Sequence, residues 1–303
     1  MTLRSEIATP EGKRRYVRRL FATIADRYDF ITRFLSYGQD QRWKRRLIEL
    51  AEIGAKDRVL DLACGTGDIV AMAAHRARSA VGLDVTFRML QLAAARRTVP
   101  GSRFRVPSSR VLGSGVPGSG VPRSQFGVRA SRTRTTNLER PEPGTENAEL
   151  REPGTGNPEP GTRAALVCAD MLALPFPAEQ FDVVTIGYGL RNVPDLAHAI
   201  HEIHRVLAPG GRMVSLDFNR PENAIVRVAY LVYLSVVGSA VGWVLHGDPD
   251  TYRYIPESIR NYPGARGVAR LLEQRGFTNV RVIPVLGGFM SIHVAMKPAS
   301  RAA

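Results

Sequence analysis

Three acidic residues, each closing or following a short apolar run, are the first features of this chain that suggest chemistry. Asp61 stands in Val59-Leu-Asp-Leu-Ala-Cys-Gly-Thr-Gly-Asp68, Asp84 closes Val81-Gly-Leu-Asp84, and Asp170, with Met171 beside it, follows Cys168-Ala. The first run leads into Gly65-Thr66-Gly67, where glycines permit tight backbone angles and let a ligand approach the main chain closely. This is not the dinucleotide fingerprint, since position 70 is Val, nor a phosphate loop, since no Gly-Lys-Ser/Thr follows. An acid leading into such a turn suits a ligand with an amino-acid end better than a pyrophosphate. A carboxylate at Asp84 can accept both hydroxyls of a ribose, and Asp170 falls where an adenine amino group would lie. Taken singly, each acid is equally an ordinary loop or cap residue.

Such residues need a scaffold that brings strand ends together. Apolar runs occur at Arg58–Ala63, Ala80–Asp84, Ala165–Ala169, Phe181–Tyr188 and Arg212–Phe218. Helical periodicities at Ile69–Ala77, Met89–Arg97 and Leu196–Leu207 lie between them. Nearly all-apolar strands alternating with helices imply a parallel sheet covered on both faces. The tail breaks the rhythm: a helix at Val268–Arg275 precedes runs at Val280–Val285 and Phe289–Met296, joined tightly enough to pair antiparallel. The expected fold class is therefore α/β, a Rossmann-like doubly wound, mostly parallel seven-stranded sheet ending in an antiparallel hairpin. Amphipathic stretches Tyr16–Ala25 and Trp43–Ala51 form an N-terminal helical cap within residues 1–57, and residues 58–303 hold the sheet.

Composition is uneven. Residues 98–163 hold 10 Gly and 9 Pro and repeat Gly-Ser-Gly-Val-Pro and Glu-Pro-Gly-Thr, so this segment reads as a low-complexity, disordered insertion into one domain. The net charge of +14 favours an anionic partner without choosing among nucleic acid, lipid headgroups and a negative cofactor. Two cysteines, Cys64 and Cys168, offer neither a disulfide framework nor a metal spacing and are expected as free thiols. His198, His201 and His204 recur every third residue and drift around the helix, as on a solvated polar face. The start of the chain lacks the apolar core of a signal peptide, so a reduced cytoplasmic setting is expected.

Together the three acids and the Gly-Thr-Gly turn resemble the Rossmann-like S-adenosylmethionine-dependent methyltransferases. That resemblance implies S-adenosylmethionine as cofactor, bound by Asp61, Gly65, Thr66, Gly67, Asp84, Asp170 and Met171. After the fourth strand the chain reads Ile186-Gly-Tyr-Gly-Leu-Arg-Asn-Val193, without the Asp/Asn-Pro-Pro-aromatic run of enzymes that methylate nucleic-acid amino groups, which argues against a nucleic-acid partner. A sharper resemblance lies in Gly189-Leu-Arg-Asn192, in Tyr28-Asp29 with Leu35-Ser36 and Trp43-Lys44, and in Asp250-Thr-Tyr-Arg-Tyr-Ile-Pro-Glu-Ser-Ile259. These look like the quinone-biosynthesis C-methyltransferases, which act on demethylmenaquinol or the ubiquinol precursor. Departures are Thr32 for the usual Asn, Asp40 for the usual His and Gly187 for a common Ser.

The resemblance implies a polyprenyl quinol substrate, with demethylmenaquinol favoured, and ring-carbon methylation that needs no metal. Arg191 becomes the candidate for stabilising the phenolate, with a structural fork onto carbonyls as its alternative role. Asn192, Tyr252 and Tyr254 become candidates for the substrate pocket, the tyrosines alternatively as packing. Val228–Leu245 is an uncharged stretch at the lower limit of a membrane span. It is expected as a buried helix or a greasy wall beside the tail's route rather than a span. Reversible contact with an anionic membrane surface, at its inner face, follows as an expectation, and self-association is left open. Two rival readings remain: methylation of another small molecule, such as a sterol, phenol or phospholipid amine, and a non-catalytic basic binding module on the same fold.

Overall fold

The computed structural model describes residues 3–36, 38–96, 103–105, 164–248 and 251–299. Most of the expected insertion, and Asp250 of the third resembling motif, lie outside the described residues. The N-terminal cap comprises α1 (Leu3–Glu6), α2 (Pro10–Ile24), α3 (Tyr28–Leu35) and α4 (Asp40–Leu50). There follow β1 (Arg58–Leu62), α5 (Asp68–Ala74), β2 (Ser79–Asp84), α6 (Phe87–Ala95), β3 (Arg103–Arg105), β4 (Ala164–Cys168) and β5 (Phe181–Gly187). The remainder is α7 (Leu196–Val206), β6 (Leu207–Phe218), α8 (Ala224–His246), α9 (Tyr254–Asn261), α10 (Gly264–Gln274), β7 (Thr278–Val285) and β8 (Met290–Met296).

The strands form one sheet in the order β3-β4-β2-β1-β5-β6-β8-β7. Pairings from β3 to β6 are parallel, and β8 lies antiparallel between β6 and β7. The seven expected strands are present, with the tail hairpin as read. Arg103–Arg105, inside the segment read as an insertion, adds a short eighth strand on the β4 edge. The chain reverses direction of travel between β1 and β5, and an open parallel sheet binds ligands outside the carboxyl ends of its strands at such a switch point.

Local chemistry explains the element ends. Thr9 Oγ1 accepts the Gly12 N–H at 3.1 Å, and Pro10 occupies the first turn of α2, where no N–H is needed. Asp195 caps α7 through the His198 N–H, and Asn223 caps α8 through the N–H groups of residues 225 and 226. Two apolar layers sandwich the sheet. Val59, Val183 and Val214 pack with Leu47 of α4 and Val70 of α5, while Leu60, Val184 and Met213 pack with Ile200 of α7 and Val268 of α10. Complete burial of each such side chain contributes roughly 1.5–3 kcal/mol, and because both faces are covered β1 shows no polar alternation beyond Asp61.

A smaller cluster of Ile24, Ile31 and Tyr252, joined by Val241 and Leu245, fastens the cap to α8. The expectation that this apolar helix is buried in the domain is corrected here. Only Leu231, Gly238 and Gly242 of α8 are fully buried, a narrow stripe along one side, and its outer face is open. Gly238 permits a close approach there: an added Cβ would stand 3.3 Å from Tyr252 Cβ and its carbonyl oxygen.

Candidate active site

The turn after β1 is shaped by two glycines in left-handed backbone. Gly67 (φ 90°) ends the turn against α6, where a Cβ would meet Ala93 Cβ at 3.1 Å, and Gly65 (φ 54°) has open space on its Cβ side. The Gly65 N–H donates to Asp84 Oδ2 at 2.9 Å and the Thr86 N–H donates to Oδ1 at 2.7 Å. Asp84 thus braces the turn from the end of β2, and its carboxylate retains further lone pairs for a ligand. Burial pushes its pKa up, opposed by these N–H donors.

Above these residues lies an open cavity, lined by Gly65, Asp84, Asp170, Met171 and Asn192 and roofed by Arg14 of α2. Asp170 Oδ1 accepts the Leu172 N–H at 2.9 Å, and Oδ2 pairs with Arg14 at 2.9 Å. That pair is partly exposed and worth at most about 1 kcal/mol; its effect is to hold the cap over the cavity.

Three expected cofactor residues do not line this cavity. Asp61 sits within β1, level with Thr185 of β5, whose Oγ1 donates to Asp61 Oδ1 at 2.8 Å. It is fully buried, Oδ2 has no partner among the described residues, and burial pushes its pKa up to about 7. Thr66 Oγ1 donates to Asp29 Oδ1 at 2.7 Å, fastening the turn to α3. Gly67 is occupied by its contact with α6.

A second open cavity adjoins the first, and Tyr28 and Tyr188 line both. Arg191, Tyr252 and Tyr254 line this second space as expected, but Asn192 does not. Residues 190–192 form a single 3-10 turn. Successive side chains there diverge by about 120°, so Arg191 reaches the second cavity and Asn192 the first. Asn192 Nδ2 donates to the Tyr188 carbonyl at 2.9 Å, and its buried Oδ1 has no partner among the described residues.

Arg191 is buried and fixed from several sides. Its Nη1 donates to Asp217 Oδ1 at 2.7 Å and to the Tyr188 carbonyl at 3.0 Å, and its guanidinium lies 4.7 Å from the Phe218 ring centroid. Nε has no partner among the described residues. Lys13 of α2 donates to the carbonyls of residues 191 and 193, and burial beside Arg191 lowers its pKa to about 8. Tyr188 adopts positive φ (60°), a strained conformation for a bulky residue, and its hydroxyl donates to Asp40 Oδ1 at 2.8 Å. Asp40, the residue that departs from the usual His, is held in turn by Lys44 at 2.7 Å. At Gly187 a Cβ would fall 2.5 Å from Ile69 Cδ1, so a serine there would displace Ile69. The Tyr252 hydroxyl lies 3.0 Å from His246 Nε2 and burial pushes its pKa up to about 12, while the buried Tyr254 hydroxyl has no partner among the described residues.

Elsewhere, His198 Nε2 meets the Leu172 carbonyl and His204 packs edge-on against Phe277. Both cysteines are free thiols. Sequence reasoning missed Asp217, although it closes β6 as Asp84 closes β2 and the same strand-end rule points to it. Tyr28 lay in a resembling motif without an assigned role, and Tyr188, Lys13 and Arg14 carried no local signal.

Glycine turn, strand-end acid and paired cavities on this strand order define a Rossmann-like methyltransferase. A solved structure of a SAM-dependent methyltransferase from Thermotoga maritima shares the fold, with TM-score 0.50 and 12% identity over 92% of this chain and 99% of that one. The chain belongs to the ubiE/COQ5 methyltransferase family, whose model matches residues 9–106 and 151–297. It is 34% identical to a demethylmenaquinone methyltransferase of Thermus thermophilus, over 92% of this chain and 100% of the relative. It is 31% identical to a ubiquinone/menaquinone biosynthesis C-methyltransferase UbiE of Pseudomonas fluorescens, over 95% and 92% of the two chains. The protein is thus an S-adenosylmethionine-dependent methyltransferase. The first cavity fits that cofactor: a braced carboxylate with spare acceptors and a glycine open to close approach face it, and Asn192 is in its wall.

Proposed function

We propose that this protein methylates a ring carbon of a polyprenyl quinol in menaquinone or ubiquinone biosynthesis, with demethylmenaquinol the favoured substrate. One observation carries the reading beyond its relatives' names: among the described residues lining the second cavity, Arg191 bears the sole charge, in a wall otherwise built from aromatic and apolar side chains with a few hydroxyls. A flat, greasy ring fits that wall, and one fixed cation suits a ring hydroxyl that must lose its proton. S-adenosylmethionine, when bound, supplies an electrophilic methyl group. Asp84 serves the ribose, Gly65 and Asn192 offer main-chain approach and an amide acceptor, and Asp170 and Met171 border the adenine end.

Arginine is never deprotonated in proteins, so Arg191 acts by charge rather than as a base. A guanidinium beside a phenol favours the phenolate, and a donor already fixed in a water-poor site needs no reorganisation as charge develops. Asp217 offsets part of that field but holds the group in place. Such a substrate resides in lipid, so reversible association with an anionic membrane surface, at its inner face in the cytoplasm, belongs to the proposal. Nucleic acid does not.

The test is methyl transfer from labelled S-adenosylmethionine to short-tailed demethylmenaquinol and to the demethylated ubiquinol precursor, with the product's methyl position determined. A C-methylated ring supports the reading. No C-methylated product from either ring overturns it.

A further inference from the structure

Most of the exposed large apolar side chains of the described residues lie on α3 and α8, which pack together through Ile31, Val241 and Leu245; Phe87 and Val282 are exposed elsewhere. Phe30 and Phe34 stack on the outside of α3 with ring centroids 6.3 Å apart, and both are more than half exposed. On α8, Val236, Trp243 and Val244 are each about two-thirds exposed. Two residues connect this surface to the second cavity. Tyr233 of α8 is 43% exposed and Leu286 is 51% exposed, yet both line the cavity wall. They therefore mark its mouth. Helix α3 has the same double character, with Ile31 inside the cavity and its two phenylalanines outside.

The charges on this face select its occupant. Helix α8 carries no carboxylate, and Arg227 is its one Lys or Arg; the exposed charge of α3 is Arg33, its Asp29 being engaged by Arg96 and Thr66. The flanking carboxylates are engaged, Glu222 by Arg266, Asp26 by Arg88 and Asp248 by the Thr251 hydroxyl. An apolar band whose own exposed charges are Arg33 and Arg227, on a chain of net charge +14, complements lipid with anionic headgroups. Helix α8 packs along one side onto Tyr252 through Gly238, so it presents a face along its length and does not cross the bilayer alone.

We propose that α3 and the outer face of α8 dock in the interface of an anionic bilayer, and that the quinol's isoprenoid tail leaves the second cavity past Tyr233 and Leu286 directly into lipid. The ring then reaches Arg191 while the tail stays in the membrane, and no long tunnel through the protein is needed. The tail route rests on the quinol reading; the docking face does not.

The experiment is flotation of the whole protein with phosphatidylcholine vesicles, with and without phosphatidylglycerol, at low and high salt. Alongside it, methylation of a tailed quinol in those vesicles is compared with that of a water-soluble tail-less quinol. We expect flotation with anionic vesicles that salt weakens. The double variant Phe34→Ser/Trp243→Ser should lower both flotation and tailed-quinol turnover by about tenfold or more, consistent with loss of two interfacial aromatic anchors. The same variant should keep tail-less turnover within about twofold, with S-adenosylmethionine affinity by calorimetry and melting temperature unchanged. Wild-type protein that ignores anionic vesicles, or a variant that floats like wild type, overturns the docking face. So does a dimer in solution that the same variant dissociates, since a second copy would then cover this face. Equal loss of tailed and tail-less turnover overturns the tail route. Vesicle binding with neither quinol methylated overturns the quinol reading while the docking face stands.

Discussion

The carboxylate of Asp217 grips residue 191 twice: Oδ1 accepts from the Arg191 guanidinium at 2.7 Å, and Oδ2 accepts the main-chain N–H of the same residue at 3.1 Å. One acid at the end of β6 thereby sets both the turn that carries Arg191 and the direction of its side chain. Both members are buried, so the pair is shielded from salt and costly to break.

Asp217→Ala leaves a buried guanidinium without its counter-charge and two N–H groups without an acceptor. Breaking such a pair costs about 3–5 kcal/mol, and Asp217→Asn, which keeps an acceptor, should cost less. Urea denaturation measures both; a loss under about 1 kcal/mol for the alanine variant contradicts the pair's importance.

Arg191→Lys keeps a cation but loses the planar fork onto Asp217 and the Tyr188 carbonyl. We expect kcat to fall by about 10²–10³-fold while S-adenosylmethionine binds as before, because Arg191 lines the second cavity and not the first. Unchanged kcat removes Arg191 from the chemistry.

Asp84→Ala deletes the acceptor offered to the cofactor and the brace of Gly65. Hydrogen bonds to a charged group contribute about 1.5–3 kcal/mol, so calorimetry should show S-adenosylmethionine binding weakened by about one to two orders of magnitude. Adenosine as a competitor should lose the same factor; a competitor that loses none would take Asp84 away from the ribose.

Asp61 provides a stability test. Its folded pKa of about 7 lies well above the ordinary carboxyl value, so between about pH 4 and 7 the folded chain holds a proton that the unfolded chain releases. Asp61 therefore subtracts from stability as pH rises through that window, at up to about 1.4 kcal/mol per unit. Asp61→Asn should gain on wild type in thermal melts from about pH 5 to 7 and hold a constant margin above about pH 8. A margin that stays flat across the lower range means that Asp61 is already ionised there.

Residues 107–150 are skipped by the family model. Replacing them with a short Gly-Ser linker, while keeping Arg103–Arg105 on the sheet edge, should leave kcat/KM within about threefold and stability nearly unchanged, since loop length enters only logarithmically. Loss of soluble enzyme would assign the segment a role in the fold.

The sheet was legible because strands covered on both faces are written as unbroken apolar runs, as Val59–Leu62 and Val183–Ile186 are but for Asp61 and Thr185. The first cavity was legible because glycine turns and strand-end acids are local signals. What the sequence could not show for Asp61 and Thr66 is long-range: Thr185 and Asp29, from elsewhere in the chain, hydrogen-bond to them. The second cavity was the least legible, since Tyr28 and Tyr188 become neighbours only once α3 folds over the end of β5. That Asn192 lines the first cavity while Arg191 lines the second was not legible, because adjacent residues on a 3-10 turn point to different sides and the turn type is not written locally. The exposure of α8 was equally hidden, since an evenly apolar helix carries no face that sequence can orient.

The position of β8 has a consequence for how this enzyme is made. It is the latest strand in the sequence, yet it pairs between β6 and β7, with Ser291 opposite Asp217. During synthesis the strands up to β6 emerge with an unpaired edge beside the residue that holds Arg191, and that edge stays open until about eighty further residues have left the ribosome. The apolar helix α8 is extruded in the same interval. Nascent chains thus display both a free strand edge and a greasy helix before the support of the second cavity closes, and exposed edges and apolar surface of that kind are what make partly made chains prone to associate.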